Sequence, residues 1–287
     1  MLILKNSQLN IAINPLGAEI QQVKHVAHGN LLWQKNDKLW NRFAPILFPI
    51  VGRLLNDQYT LNHESYGMRQ HGFARDQVFQ VIEHSEDSIT LRLTDNEQTR
   101  AQYPFAFELQ VKYTLFQDTL EIEHRVTNLD TSDLYYSLGG HPGFHIEGKL
   151  SEYYLDFGAD YLVQQHLITG NYYNGKTKEI QLSRKFELSD DLFASDAIVI
   201  KQPPFQSIGF GKINGPKLLT LHCNTSTAVG LWTKPGAPFF CLEPWWGWAD
   251  ALDSSGNIKE KEGIMSLAPG KYSTHQFSIE LHELKTN

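Results

Sequence analysis

The sequence is short of cysteine, of helix-period segments and of long apolar runs, and it carries no excess of positive charge. Two cysteines in 287 residues, Cys223 and Cys241, exclude a disulfide framework. Each lies in a strand-like apolar run, where a buried free thiol is expected. The apolar opening Met1-Leu2-Ile3-Leu4 is cut off at Lys5, too soon for a signal-peptide core. No apolar stretch approaches the length needed to cross a bilayer. These absences predict a soluble, cytoplasmic protein with no membrane partner. Lys and Arg number 25 against 32 Asp and Glu, and the resulting net charge of −7 argues against a broad electrostatic grip on nucleic acid. A local basic pocket for a phosphate remains compatible with that balance. Helical signals are confined to one place: Asp95 with Gln98 resembles a capping box, and Pro104 closes the stretch, so a short helix is expected over Asn96–Tyr103.

What fills the sequence instead is alternation. Leu9, Ile11 and Ile13 are separated by polar or small residues, as are Ile89, Leu91 and Leu93, then Leu120, Ile122 and Val126, and finally Phe277, Ile279 and Leu281. A period of two is the pattern of half-buried antiparallel strands. Gln117-Asp118 separates two such runs and reads as a hairpin turn. Many short strands punctuated by Gly and Pro, with neither repeats nor a composition break, predict a single all-β domain over residues 1–287, built as a large antiparallel sandwich or barrel.

Four segments do not read as ordinary strands or turns. In Phe48-Pro49-Ile50-Val51-Gly52-Arg53, an arginine follows an apolar stretch and can present its donor fork at the edge of the core, although this segment alone favours a plain surface arginine in a loop. In Met68-Arg69-Gln70-His71-Gly72-Phe73-Ala74-Arg75, a tight turn either displays the His71 imidazole or ties it to the backbone. In Leu138-Gly139-Gly140-His141-Pro142-Gly143-Phe144-His145, paired glycines permit close approach and Pro142 biases His141 towards extended geometry. A histidine so constrained suits proton transfer near neutral pH, while His145 reads as structural. In Lys234 to Trp248, an apolar strand carries Glu243 towards Trp245, Trp246 and Trp248. A carboxylate in apolar surroundings is costly, has a raised pKa and makes a better base near neutrality. Tryptophan faces suit the C–H face of a pyranose.

On these residues the chain resembles the aldose 1-epimerase (galactose mutarotase-like) family, most closely its LacX-like branch. The resemblance runs in order through Ile13 to Ile20, Pro49 to Arg53, His71 to Arg75, Gly140 to Phe144, Leu192 to Ala197 and Pro235 to Gly247. It implies the galactose-mutarotase β-supersandwich and interconversion of the α and β anomers of a sugar. It implies catalysis by one Glu and one His without metal or organic cofactor. Carried over, Glu243 matches the general base and His141 the general acid. Arg53, His71 and Asp196 match substrate-binding positions, and Arg75 and Trp245 join them as candidates. The expected partner is a small-molecule aldohexose. Relatives acting on hexose 6-phosphates share the His-Gly-Phe-Ala-Arg segment, so a phosphorylated substrate stays open.

Three other readings use the same residues. Glu243 and Asp196 could be the carboxylate pair of a glycosidase. His71, His141, His145 and Glu243 could gather a metal, against which stands the lack of a compact His-x-His followed by Glu. A sugar-binding or sensor protein could keep the cleft without catalysis, though it need not keep both an acid and a base.

Overall fold

A computed structural model describes residues 1–282. Two large antiparallel sheets dominate it. The first has nine strands in the order Lys185–Glu187, Tyr153–Asp156, Ser207–Lys212, Lys217–His222, Tyr272–Leu281, Thr119–Asn128, Phe107–Phe116, Ser88–Thr94 and Gln80–His84. The second runs Tyr172–Leu182, Tyr161–Thr169, Ile198–Lys201, Ala228–Trp232, Phe239–Trp246, Leu138–Gly140 and Ile46–Leu47, with Gly143–His145 also paired to Phe239–Trp246. A four-stranded sheet of Leu2–Lys5, Leu9–Asn14, Glu19–His25 and Gly29–Asn30 adds its apolar side chains to the same core. That core joins the inward residues of both large sheets, among them Leu109, Val111 and Ile122 from the first and Ile200, Leu231 and Leu242 from the second. The all-β sandwich expected from alternation is the architecture found.

The alternating segments map onto strands that bury one face. Phe107–Phe116 and Thr119–Asn128 pair throughout their length and turn through Gln117-Asp118, with Gln117 in the left-handed region at φ 53°. Both cysteines are free and buried.

The helix is shorter than the sequence suggested and is capped one residue later. It spans Glu97–Arg100, its cap is Asn96, and the reciprocal bonds run between Asn96 and Thr99, so Asp95 and Gln98 do not form the box. Asp95 is drawn instead to Arg100, at 2.6 Å, and to the backbone N–H of Phe107.

Phe239–Trp246 is the strand that places the site, and all eight of its residues are buried. Period two still governs it. Phe240, Leu242 and Trp246 enter the main core, while Phe239, Cys241, Glu243 and Trp245 project from the opposite face. A strand covered on both faces loses polar alternation, which is why its sequence reads as an unbroken apolar run interrupted by one carboxylate.

Inside the sandwich His124 and His275 lie opposite each other on neighbouring strands. His275 pairs with the Tyr136 hydroxyl at 2.8 Å, but neither ring nitrogen of His124 has a partner. Burial pushes His124 down to about 3 and His275 down to about 4. The unfolded chain, with histidines near 6.5, therefore binds more protons than the native state below that pH. Stability is complete above about pH 6.5 and falls as acid is added, by up to about 1.4 kcal/mol per pH unit for each such histidine. Urea midpoints measured from pH 7.5 to 4.5 should show this decline. His124→Phe should raise the midpoint and flatten its slope, because it removes an unpaired buried polar ring while keeping the stack on Phe277.

Candidate active site

On the outer face of the second sheet a cavity of about 310 Å³ opens over Glu243. Its titratable walls are His71, Arg75, His141, Asp196 and Glu243, and its aromatic walls are Trp40, Tyr173, Trp232 and Trp245. Seven separate stretches of chain thus converge on one space.

His141 follows the Leu138–Gly140 strand, and its backbone N–H donates to Pro45 O. Its ring stacks on Trp40 at 4.8 Å and meets the edges of Trp232 and His71. The Nε2 atom lies 3.1 Å from Glu243 Oε2. The ring N–H is not well aimed at that oxygen, so Oε2 is within hydrogen-bond distance yet lacks a well-formed bond. Burial sets the protonation of both groups. It pushes His141 down to about 3, with the Arg75 charge adding to the effect. It raises Glu243 well above the usual carboxylate range; the Trp245 indole N–H pulls the other way and Asp196 adds a like-charge push upward. A second proton on the pair and removal of the last one are both opposed. Burial thus favours the pair with one shared proton and no net charge.

His71 is held by its backbone. It and Gly72 both adopt left-handed conformations, at φ 66° and 68°. A Cβ on residue 72 would lie 2.3 Å from Phe48 O, which accepts the N–H groups of Phe73 and Ala74. The His71 Nδ1 accepts from the Gly52 N–H at 3.1 Å, which puts the ring proton on Nε2. Burial keeps this ring neutral, so His71 offers a fixed N–H donor. The two readings of His71 left open by the sequence are therefore both realised, one on each ring nitrogen.

Arg75 donates to Gln70 O at 2.6 Å, while its Nε is buried without a hydrogen bond, 4.0 Å from Asp76 Oδ2. Asp196 accepts from the N–H of Ala197 at 2.7 Å and has φ 152°, a value rarely adopted by a side-chain-bearing residue. Arg53 is placed differently from the other candidates. Its guanidinium grips Asp57 through two bonds of 2.6 and 2.5 Å and lines the neighbouring groove. That groove meets the cavity at Gln70.

The tryptophans also sort themselves differently from the sequence expectation. Only Trp245 of the three near Glu243 faces the cavity. Trp246 turns into the core and donates to Thr225 O, and Trp248 lies under the Lys201 ammonium. The remaining aromatic walls, Trp40, Trp232 and Tyr173, lie outside the four segments singled out from the sequence. Gln70, between Arg69 and His71 in the second of those segments, also lines the cavity.

For metal binding, His145 is exposed on its strand and does not join the buried His141 and Glu243. Among the described residues, the His, Cys and carboxylate atoms that come together are those of His141, Cys241 and Glu243, all within 4.8 Å of one another.

The family model for aldose 1-epimerase matches residues 1–280. The chain belongs to the aldose 1-epimerase family. It is an isomerase of that type. A galactose mutarotase related enzyme from Lactobacillus acidophilus is 33% identical and superposes with a TM-score of 0.94, covering 99% of this chain and 98% of that one. A galactose mutarotase-like protein from Lactobacillus casei is 28% identical with a TM-score of 0.93 over 98% of this chain and all of its own. The chromosomal LacX protein of Lactococcus lactis is 29% identical over 97% of this chain and 98% of its own length. The sandwich is thus the galactose mutarotase-like one. Among the described residues no helix is long and apolar enough to cross a membrane.

The Gly72 turn gives a direct test of how the site is held. Gly72→Ala combines a left-handed backbone with a clash against a carbonyl that cannot move freely. It should cost about 2 kcal/mol or more in denaturant unfolding and displace His71. Loss of the Gly52–His71 bond should be visible as a change in the His71 ring-nitrogen shifts by NMR.

Proposed function

We propose that this protein interconverts the α and β anomers of an aldohexose, free or phosphorylated, with Glu243 as general base and His141 as general acid. The observation that carries this reading is the buried Glu243–His141 pair facing a cavity of sugar size. Opening a hemiacetal requires O1 to lose a proton and the ring oxygen to gain one. Both movements are supplied by one carboxylate and one imidazolium on the same wall.

In the productive form Glu243 is ionised and His141 is protonated. A sugar entering the cavity separates them, so that Glu243 faces O1 and His141 faces the ring oxygen. Glu243 takes the O1 proton while the C1–O5 bond breaks, C1–O1 becomes a carbonyl, and His141 delivers its proton to O5. The pair then consists of a carboxylic acid and a neutral imidazole, the forms that burial favours. The open-chain aldehyde turns about its C1–C2 bond, recloses on the other face, and returns both protons. No net proton leaves the site.

The remaining walls supply binding. The His71 Nε2–H and Arg75 donate to sugar oxygens, and Asp196 accepts from hydroxyls. Trp40, Trp232 and Trp245 cover the apolar face of the ring. Arg53, in its groove across Gln70, is positioned to reach a substituent that extends beyond the cavity. The cycle needs no metal or organic cofactor, because both proton movements and the polar anchors come from side chains.

Polarimetry and exchange NMR with freshly dissolved α-glucose, α-galactose and glucose 6-phosphate test activity and substrate together. Glu243→Gln should lower the exchange rate by at least about a hundredfold with binding largely retained, and His141→Asn should lower it by a similar factor. The double variant should be little worse than either single one, since the residues act as a unit. Near-wild-type exchange by Glu243→Gln would refute the mechanism. The wild-type kcat/KM should hold a plateau through neutral pH. It should fall on the acid side as the pair takes a second proton, and on the alkaline side as it loses its only one.

A further inference from the structure

Glu243 and Trp245 stand two residues apart on one strand and project from the same face. The indole lies flat because two neighbouring strands have no side chain beneath it. Gly139 pairs with Trp245, and a Cβ there would be 2.7 Å from the ring. Gly230 pairs with Glu243 on the other side, and a Cβ there would be 2.6 Å from the ring. An indole gripped in this way has little freedom to turn its N–H elsewhere. That Nε1 is fully buried and has no hydrogen-bond partner, and Glu243 Oε2 is likewise buried without a well-formed bond. A buried indole donor normally finds an acceptor. Here the neighbouring acceptor is the carboxyl group that the proposed cycle must ionise.

From this geometry we infer that Trp245 is a positioning residue whose indole N–H holds the Glu243 carboxylate in its ionised, base-competent form. The inference rests on Glu243 being the base, and it explains a step left unsupported by the other residues. In the free protein His141 lies against the carboxyl group. A sugar inserted between them removes that partner just when the carboxylate must carry charge in a dry site. The Trp245 N–H is then the donor left to it. A donor to the anion favours ionisation, and loss of that donor raises the carboxyl pKa. The direction agrees with the downward pull that Trp245 exerts on Glu243.

The test uses the full-length protein as wild type, as Trp245→Phe, and with Trp245 replaced by 3-benzothienylalanine, which keeps the bicyclic shape but has sulfur in place of N–H. Glutamate is labelled with carbon-13 at its carboxyl carbon, and the Glu243 signal is assigned by its loss in Glu243→Gln. In both Trp245 variants the pair should give up its last proton at a pH higher by about one unit or more. With the sugar that the wild type turns over fastest, the alkaline limb of kcat/KM should move up by the same amount. The neutral-pH kcat should fall about tenfold, with KM changed less than kcat. A Glu243 titration in the benzothienyl variant that matches wild type overturns the inference. If the wild type shows no anomer exchange with any of the three sugars, the proposed activity fails, whereas the carboxyl titration still decides the role of Trp245.

Discussion

Glu243 and His141 meet at 3.1 Å on a strand and a turn that are both buried, and few contacts in a protein are harder to maintain. Two ionisable groups removed from water are tolerated only if they neutralise each other or stay uncharged. The shared proton meets that condition in either of its positions. With it on the imidazole the pair is a carboxylate–imidazolium couple, and with it on the carboxyl group both members are neutral. Burial alone favours the second arrangement, while the Trp245 donor favours the first. A pair that keeps one proton in either position is suited to a reaction that moves a proton one way and later returns it. His71, fixed in one neutral tautomer by Gly52, does not compete for that proton.

The rest of the fold follows from the need to bring that pair together. Glu243 sits mid-strand, where its height and direction are set by pairing on both sides, so its position is not left to a loop. His141 lies between the Leu138–Gly140 and Gly143–His145 strands, and its own N–H is tied to Pro45. Aromatic rings then close the space around them. Trp40 covers one face of His141, and Trp232 and His71 meet it edge-on. These rings exclude water, and the exclusion depresses one pKa and raises the other.

Much of this was legible in the sequence, for reasons that also mark where legibility ends. Strands with one wet face print their geometry as alternation, so Leu120, Ile122 and Val126 or Phe277, Ile279 and Leu281 point inward as read. His141 was visible because Gly-Gly before it and Pro after it are a costly way to make an ordinary strand. Glu243 was visible because an unpaired carboxylate in an apolar run demands an explanation. Trp40, Tyr173 and Trp232 were not, since a tryptophan or tyrosine facing a cavity has the same local sequence as one facing a core. The short helix was misread by one position because Asp95 and Asn96 are both good caps. The choice fell to Asn96 once Asp95 had Arg100 and Phe107 to bond. Arg53 shows the same limit: nothing local distinguishes an arginine aimed into a cavity from one held by an aspartate four residues on.

The glycines around the site connect these levels. Glycine weakens a strand, by roughly 0.5–1 kcal/mol relative to alanine, yet three neighbouring strands carry one beside the Glu243–His141 pair. The space left by Gly139 and Gly230 is filled by the Trp245 indole, and that left by Gly143 by the edge of Trp40. A missing methyl group under a flat ring is not a void, because the ring restores the lost contacts and buries far more apolar surface than alanine would. The local loss in strand propensity is thereby offset in packing. The sheet gains a surface on which indoles lie against the backbone instead of standing away from it. Only in that posture can the Trp245 N–H point along the sheet towards Glu243, and only then is there room above the carboxylate for a six-membered ring. Substituting alanine at any of these glycines would lift an aromatic ring into the cavity, so the weakest strand formers in the sheet determine both the depth of the site and the direction of its buried donor.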